Sequence, residues 1–166
     1  MVYMFEELVL WAQMFVTDYG LIGTFIISLL ESFVFPVPTA VFIAPSTALG
    51  VDPFIITVVA TIGSVIGAVI GYGLGYVFGE KAANKLFRKH MGGVKKWFDK
   101  YGAWAVLIAA FTPIPFKVFA WAAGIFKLDF KKFLIVSIIG RFIQFAIAAY
   151  VGSLFGGWFL SSLALI

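Results

Sequence analysis

Two stretches of the chain, residues 53–79 and 133–156, are apolar almost without interruption and long enough to cross hydrocarbon as helices. The first opens with Asp52 followed by Pro53, an N-cap with proline at the first helical position. The stretches ahead of them, 21–50 and 103–126, are equally apolar but broken near the middle by Pro-x-Pro, at Pro36 and Pro38 and at Pro113 and Pro115. Proline stops a helix and pushes the preceding residue toward extended geometry. In the second case the approach Ala103–Phe111 covers only about 14 Å at the helical rise. A full span there would also carry Lys127, Lys131 and Lys132 to the far side. The pattern therefore favours a re-entrant hairpin over a kinked span: a limb that dips to mid-membrane and a helix that returns, starting at Thr39 and at Phe116. Broken backbone at that depth is tolerated where protein or a wet cavity surrounds it.

The two halves resemble each other. Shifted by 77 positions, residues 34–79 lie on 111–156 without a gap, and 13 of 46 pairs are identical, among them both Pro-x-Pro pairs, Asp52/Asp129 and Gly63/Gly140. Composition bias would not align these together, so an internal repeat is expected. The loop Gly50–Pro53 carries −1 and its equivalent Lys127–Lys132 carries +2, which suggests that the halves are inverted across the membrane. The expected fold is an all-α polytopic membrane protein forming one membrane domain, an inverted repeat of re-entrant hairpin plus transmembrane helix. Residues 1–19 form an interfacial helix, 20–79 the first repeat, 80–102 a basic linker, 103–156 the second repeat and 157–166 a tail.

Composition agrees with a bilayer. The chain has 166 residues, 63% hydrophobic and 12% charged, too few polar groups to coat a soluble globule. The acidic start is not the basic n-region of a signal peptide. Of the net +4, the linker alone contributes +5, which places it in the cytoplasm by the positive-inside rule and makes the cell membrane, crossed several times, the expected location. Such a run meets anionic headgroups rather than nucleic acid when wedged between membrane segments. There is no cysteine and one histidine, His90, so thiolate sites, metal hydrolysis and triad chemistry are poorly supplied. No metal, cofactor or catalytic residue is expected, and the chain is not read as an enzyme.

The remaining polar residues carry the candidate chemistry. Arg141 lies about 13 Å into its helix, further than a side chain comfortably snorkels, so it should face the interior and find a partner. Gln144 shares its face one turn on. Glu31 is embedded in Phe25–Phe35, where burial and a neighbouring cation act oppositely on its proton; it is either a coupling carboxylate or the structural partner of Arg141. Helix N-termini at Thr39 and Phe116, aimed at the midplane, suit an anion, and Lys117 stands on the second of these first turns. The expected substrate-binding set is Lys117, Arg141, Gln144, Thr39 and Thr112, with Glu31 in coupling and Pro36, Pro38, Pro113 and Pro115 forming the hairpins. Gly63, Gly67, Gly71 and Gly75 recur every fourth residue and read as a packing face. Asp52 and Asp129 read as caps.

Glu31-Ser-Phe-Val-Phe-Pro-Val-Pro, then Phe111-Thr-Pro-Ile-Pro-Phe-Lys-Val-Phe-Ala-Trp-Ala-Ala-Gly124, then Gly140-Arg141-Phe-Ile-Gln144 resembles the DedA family, also called SNARE-associated or VTT-domain proteins, in its YqaA-type branch. The resemblance covers about residues 20–156. It implies paired re-entrant hairpins and movement of lipid between leaflets, undecaprenyl phosphate or phosphatidylethanolamine in bacterial members and phospholipid scrambling in eukaryotic relatives. It puts Glu31 in the place of the family's embedded acid, Arg141 in that of a basic residue, and Lys117 where many members carry arginine. Many relatives hold a second acid shortly after the first Pro-x-Pro; Thr39, Ala40, Ser46 and Thr47 occupy that stretch here, and Ala110, Phe111 and Thr112 stand where an arginine precedes the second pair. These departures make passive scrambling more credible. The expected function is a flippase- or scramblase-like transporter of a phosphate-bearing lipid, with proton or cation coupling and homo-oligomerisation left open. The alternatives are a non-transporting assembly protein and a lipid-phosphate enzyme.

Overall fold

The computed structural model describes residues 2–33, 37–87, 91–112 and 115–163. Seven helices follow in order: α1 (Val2–Phe33), α2 (Ala40–Ala48), α3 (Pro53–Phe87), α4 (Met91–Tyr101), α5 (Ala103–Phe111), α6 (Phe116–Ile125) and α7 (Phe130–Leu163). Among the described residues three stretches are long and apolar enough to cross a membrane, Met14–Phe33, Pro53–Gly79 and Phe130–Phe155. The chain is thus an all-α polytopic membrane protein. The apolar run in α1 begins before the expected boundary at residue 20. Gly20 marks that boundary as a kink instead, its φ of 55° open to glycine because it lacks a Cβ. Pro36 and Pro113 lie outside the described residues, as does His90.

Local chemistry accounts for the helix starts. Asp52 Oδ1 accepts the N–H of Ile55 at 2.8 Å, and Asp129 Oδ1 accepts that of Lys132 at 2.9 Å, so both aspartates cap the long helices that follow them. Thr39 and Pro115 precede α2 and α6, and the carbonyls of Pro38 and Pro115 accept from Val41 and Val118 in the first turns.

α3 and α7 cross at the centre and run antiparallel. Ser64 meets Arg141, and eight residues further along α3 Tyr72 stacks on Phe133, eight residues back along α7, with ring centroids 4.8 Å apart. In the other direction Ile56 and Ala60 share a core cluster with Phe145 and Ala149. α1 runs parallel to α3, with Gly63 against Phe25 and Gly67 against Leu29, and it ends beside the middle of the Pro53–Gly79 stretch, where Ser32 bonds Ser64 at 2.5 Å. The chain must then fold back through α2 to reach Pro53. In the second half α5 likewise lays Leu107 and Ala110 against Gly140, midway along the α7 stretch.

The return helices trade halves: α6 packs on α3, and α2 on α7. A Cβ at Gly75 would overlap the carbonyl of Trp121, and one at Gly152 that of Ala44. Gly75 and Gly152 are 77 positions apart, and so are Ala44 and Trp121. The sequence repeat is therefore matched in this pair of contacts. Gly63 and Gly67 serve α1, whereas Gly71 and Gly75 serve α6, so the ladder seats two different helices. α6 is almost wholly enclosed, with Phe116, Phe119 and Trp121 buried in an alanine-rich core, while α2 leaves Val41, Pro45 and Leu49 exposed.

Candidate functional site

At the crossing of α3 and α7 lies a buried charged network. Arg141, with 1% of its surface exposed, reaches from α7 toward α3 and the end of α1. Its Nε donates to Ser64 Oγ at 2.5 Å, Nη1 to Gln144 Oε1 at 2.8 Å, and Nη2 both to Glu31 Oε2 at 2.7 Å and to Ser32 Oγ at 3.2 Å. Phe116 and Phe145 lie against the guanidinium, their ring centroids 4.8 and 4.6 Å from Cζ. A planar, weakly hydrated cation suits such aromatic faces.

Glu31 stands at the last turn of α1 and faces the start of α2. Its Oε2 accepts from Arg141 and also from Thr39, through the hydroxyl at 2.5 Å and the backbone N–H at 3.2 Å. One carboxylate oxygen therefore joins the end of α1 and the start of α2 to α7. The Glu31 side chain keeps 16% exposure where that of Arg141 has 2%, so the pair opens on the carboxylate side. Lys117 is half-buried on the first turn of α6, and the Glu31 charge acts on it. Of these two cations Arg141 is bonded to the acid, and Lys117 feels its charge from the first turn of α6.

The structure gathers Glu31, Thr39, Arg141 and Gln144 into direct contact, with Lys117 within electrostatic reach. Thr112 stands apart: its hydroxyl donates back to the Ile108 carbonyl at 2.7 Å and ends α5. Pro38 and Pro115 sit at the starts of the return helices. Ser32, Phe116 and Phe145 complete the network without a signal in the sequence. Ser64 had one, since it is the 77-residue counterpart of Arg141 and the two positions touch. Ser137, one turn before Arg141, is fully buried, and its hydroxyl has no hydrogen-bond partner among the described residues.

The family profile for the VTT domain matches residues 35–154, which hold α2 through α6 and α7 as far as residue 154. The chain is similar to an uncharacterized protein of Methanocaldococcus jannaschii, 35% identical over 132 residues that make up 78% of this chain and 81% of that one. It is also similar to an uncharacterized protein of Histophilus somni, 31% identical over 77 residues, 46% of this chain and 40% of the other. Undecaprenyl phosphate transporter A of Staphylococcus aureus is 36% identical over 56 residues, 34% of this chain and 28% of that protein. No solved structure matches.

Proposed function

Because the chain belongs to the VTT-domain, or DedA, family, we propose that it is a membrane lipid transporter that carries a phosphate-bearing lipid, such as a polyprenyl phosphate or a phospholipid, between leaflets. The observation that carries this reading is the position of Arg141: a fully buried guanidinium halfway along two long apolar helices, tied to a carboxylate at 2.7 Å. Charge at that depth costs about 2.5–3.5 kcal/mol or more, so it is retained where it has a task or a tight partner. A phosphate presents the same oxygen geometry to a guanidinium as a carboxylate does. In the reading proposed, the headgroup takes the place of Glu31 on Arg141, Lys117 supplies a second charge, and the N–H groups opening α2 and α6 complete the anion's shell. The tail stays in lipid. The two hairpins enter the bilayer from opposite faces and return, with the basic segment 80–102 in the cytoplasm.

Coupling follows from the competition. Glu31 and the phosphate seek the same cation, so protonating Glu31 releases Arg141 to substrate, and loss of the proton returns it. Passive exchange needs no such step. The full set of acceptors around Arg141 favours a second reading, in which the pair only locks α1 to α7 and the protein assembles rather than transports.

The deciding measurement is flux in proteoliposomes, with a fluorescent phospholipid and a polyprenyl phosphate, each with and without a pH gradient. Gradient-driven movement of the polyprenyl phosphate, lost on Glu31→Gln, supports a coupled carrier. Equal, gradient-indifferent movement of both lipids supports a scramblase. Flux unchanged on Arg141→Ala removes that residue from the site, and no flux of either lipid leaves the assembly reading.

A further inference from the structure

α2 and α6 end in the same way. After α2, the N–H of Gly50 bonds the Thr47 carbonyl and that of Val51 the Ser46 carbonyl; after α6, Lys127 bonds Gly124 and Leu128 bonds Ala123. This closure requires a left-handed residue at its turn. The first half uses Gly50, with φ 99°, and the second uses Lys127, with φ 51°, the 77-residue counterpart and the one non-glycine residue with positive φ among those described. A side chain in that conformation lowers stability where glycine would not, and such strain gathers at functional positions.

Lys127 has charged company. Phe126, its neighbour, packs on Phe98 of α4 with ring centroids 5.3 Å apart, so α4 is held beside this turn. α4 buries Val94 and Phe98 and leaves Lys95, Lys96 and Lys100 exposed; Lys131 and Lys132 are exposed after the turn. Among the described side chains the nearby carboxylates are Asp99, exposed on α4, and Asp129, whose Oδ1 is engaged by the Lys132 N–H. Lys127 lies over the Tyr76 ring at 5.8 Å, and the Tyr72 hydroxyl donates to the Leu128 carbonyl at 2.6 Å, fixing the turn to α3. Here the apolar stretch of α3 closes at Gly79 and that of α7 opens at Phe130, with Tyr76, Tyr101 and Trp104 exposed around them. Aromatics and lysines at the end of apolar spans mark the headgroup level.

We infer that the α6–α7 turn and the outer side of α4 form a binding surface for anionic phospholipid headgroups, with Lys127 kept in a strained turn for its charge. Because α4 docks its apolar residues on α6, its lysines stay directed outward and ready for phosphate. A role in collecting substrate at the mouth of the site rests on the transport proposed above; the binding itself does not.

The test is native mass spectrometry of the full chain in detergent, titrated with phosphatidylglycerol and with phosphatidylcholine, beside thermal unfolding of the same samples. The wild-type chain should prefer phosphatidylglycerol. Lys127→Gly should weaken that binding about five-fold, the effect of one lysine at a membrane surface, and should raise the unfolding temperature by relieving the turn. Lys127→Arg should keep the preference, and the combined K95Q, K96Q and K100Q variant should reduce it further than Lys127→Gly does. Equal binding of the two lipids by the wild-type chain, undiminished phosphatidylglycerol binding by Lys127→Gly, or no gain in its unfolding temperature would each overturn the inference. If phosphatidylglycerol binding responds as expected while flux ignores Arg141→Ala, the surface stands and the transport site fails.

Discussion

Arg141 is held by acceptors of three kinds, hydroxyl, amide and carboxylate, and variants of this network should differ in cost. Arg141→Ala leaves the partly buried Glu31 carboxylate with its Thr39 hydrogen bonds but without the guanidinium, a loss of up to about 3–5 kcal/mol that should lower the unfolding temperature in detergent. Glu31→Gln keeps an oxygen for Thr39 but leaves the guanidinium, the more deeply buried of the two charges, without its counter-charge, so its cost should be at least as large. The combined Glu31→Gln and Arg141→Met variant removes both charges and should recover most of the lost stability, while lipid flux stays absent if the arginine binds substrate. Recovered flux in that stable variant would assign the pair to structure alone. Ser64→Ala removes the acceptor of Nε together with the hydrogen bond to Ser32 and should cost about 1–3 kcal/mol.

Between elements, contact is set by what glycine leaves out. Gly75→Ala and Gly152→Ala each put a methyl group into the carbonyl of a return helix, and each should destabilise by about 1–3 kcal/mol, with similar size because the contacts are equivalent. Gly73, with nothing within 4 Å of the place a methyl group would take, should accept alanine with a gain from helix propensity. Thermal unfolding of the three variants separates the cases. Helix boundaries were legible in the sequence because local chemistry sets them: the stretch 53–79, the starts of α2 and α6 after Pro-x-Pro, and the two aspartate caps all follow from residues within a few positions. The cations and the acid of the site were legible too, since charge in an apolar run has few explanations. Ser32 bonding Ser64, the aromatic faces on Arg141, the docking of α4 and the left-handed Lys127 were not. Each depends on segments brought together from distant parts of the chain.

For the molecule as a whole, the antiparallel crossing of α3 and α7 has a topological consequence. If both apolar stretches cross the bilayer, their capped starts, Asp52 and Asp129, emerge on opposite faces. The chain has no cysteine, so single introduced thiols report without interference. In intact cells an impermeant maleimide should label Asp52→Cys, and it should label Lys131→Cys and Lys95→Cys only after permeabilisation. Labelling of all three from one side would contradict the inverted arrangement.

Ser64 and Arg141 occupy the same position in the two repeats, and they touch. A pair of equivalent positions in contact can lie only on the axis that relates the halves. In a dimer of identical half-length chains, whatever stood at one would stand at the other: two serines and no charge, or two guanidinium groups pressed together in hydrocarbon. Neither arrangement offers a single cation balanced by a single acid. Carrying both halves in one polypeptide lets the two copies of that position differ, so the one-to-one pairing of Arg141 with Glu31 is available to the single chain and closed to a symmetric dimer of one half.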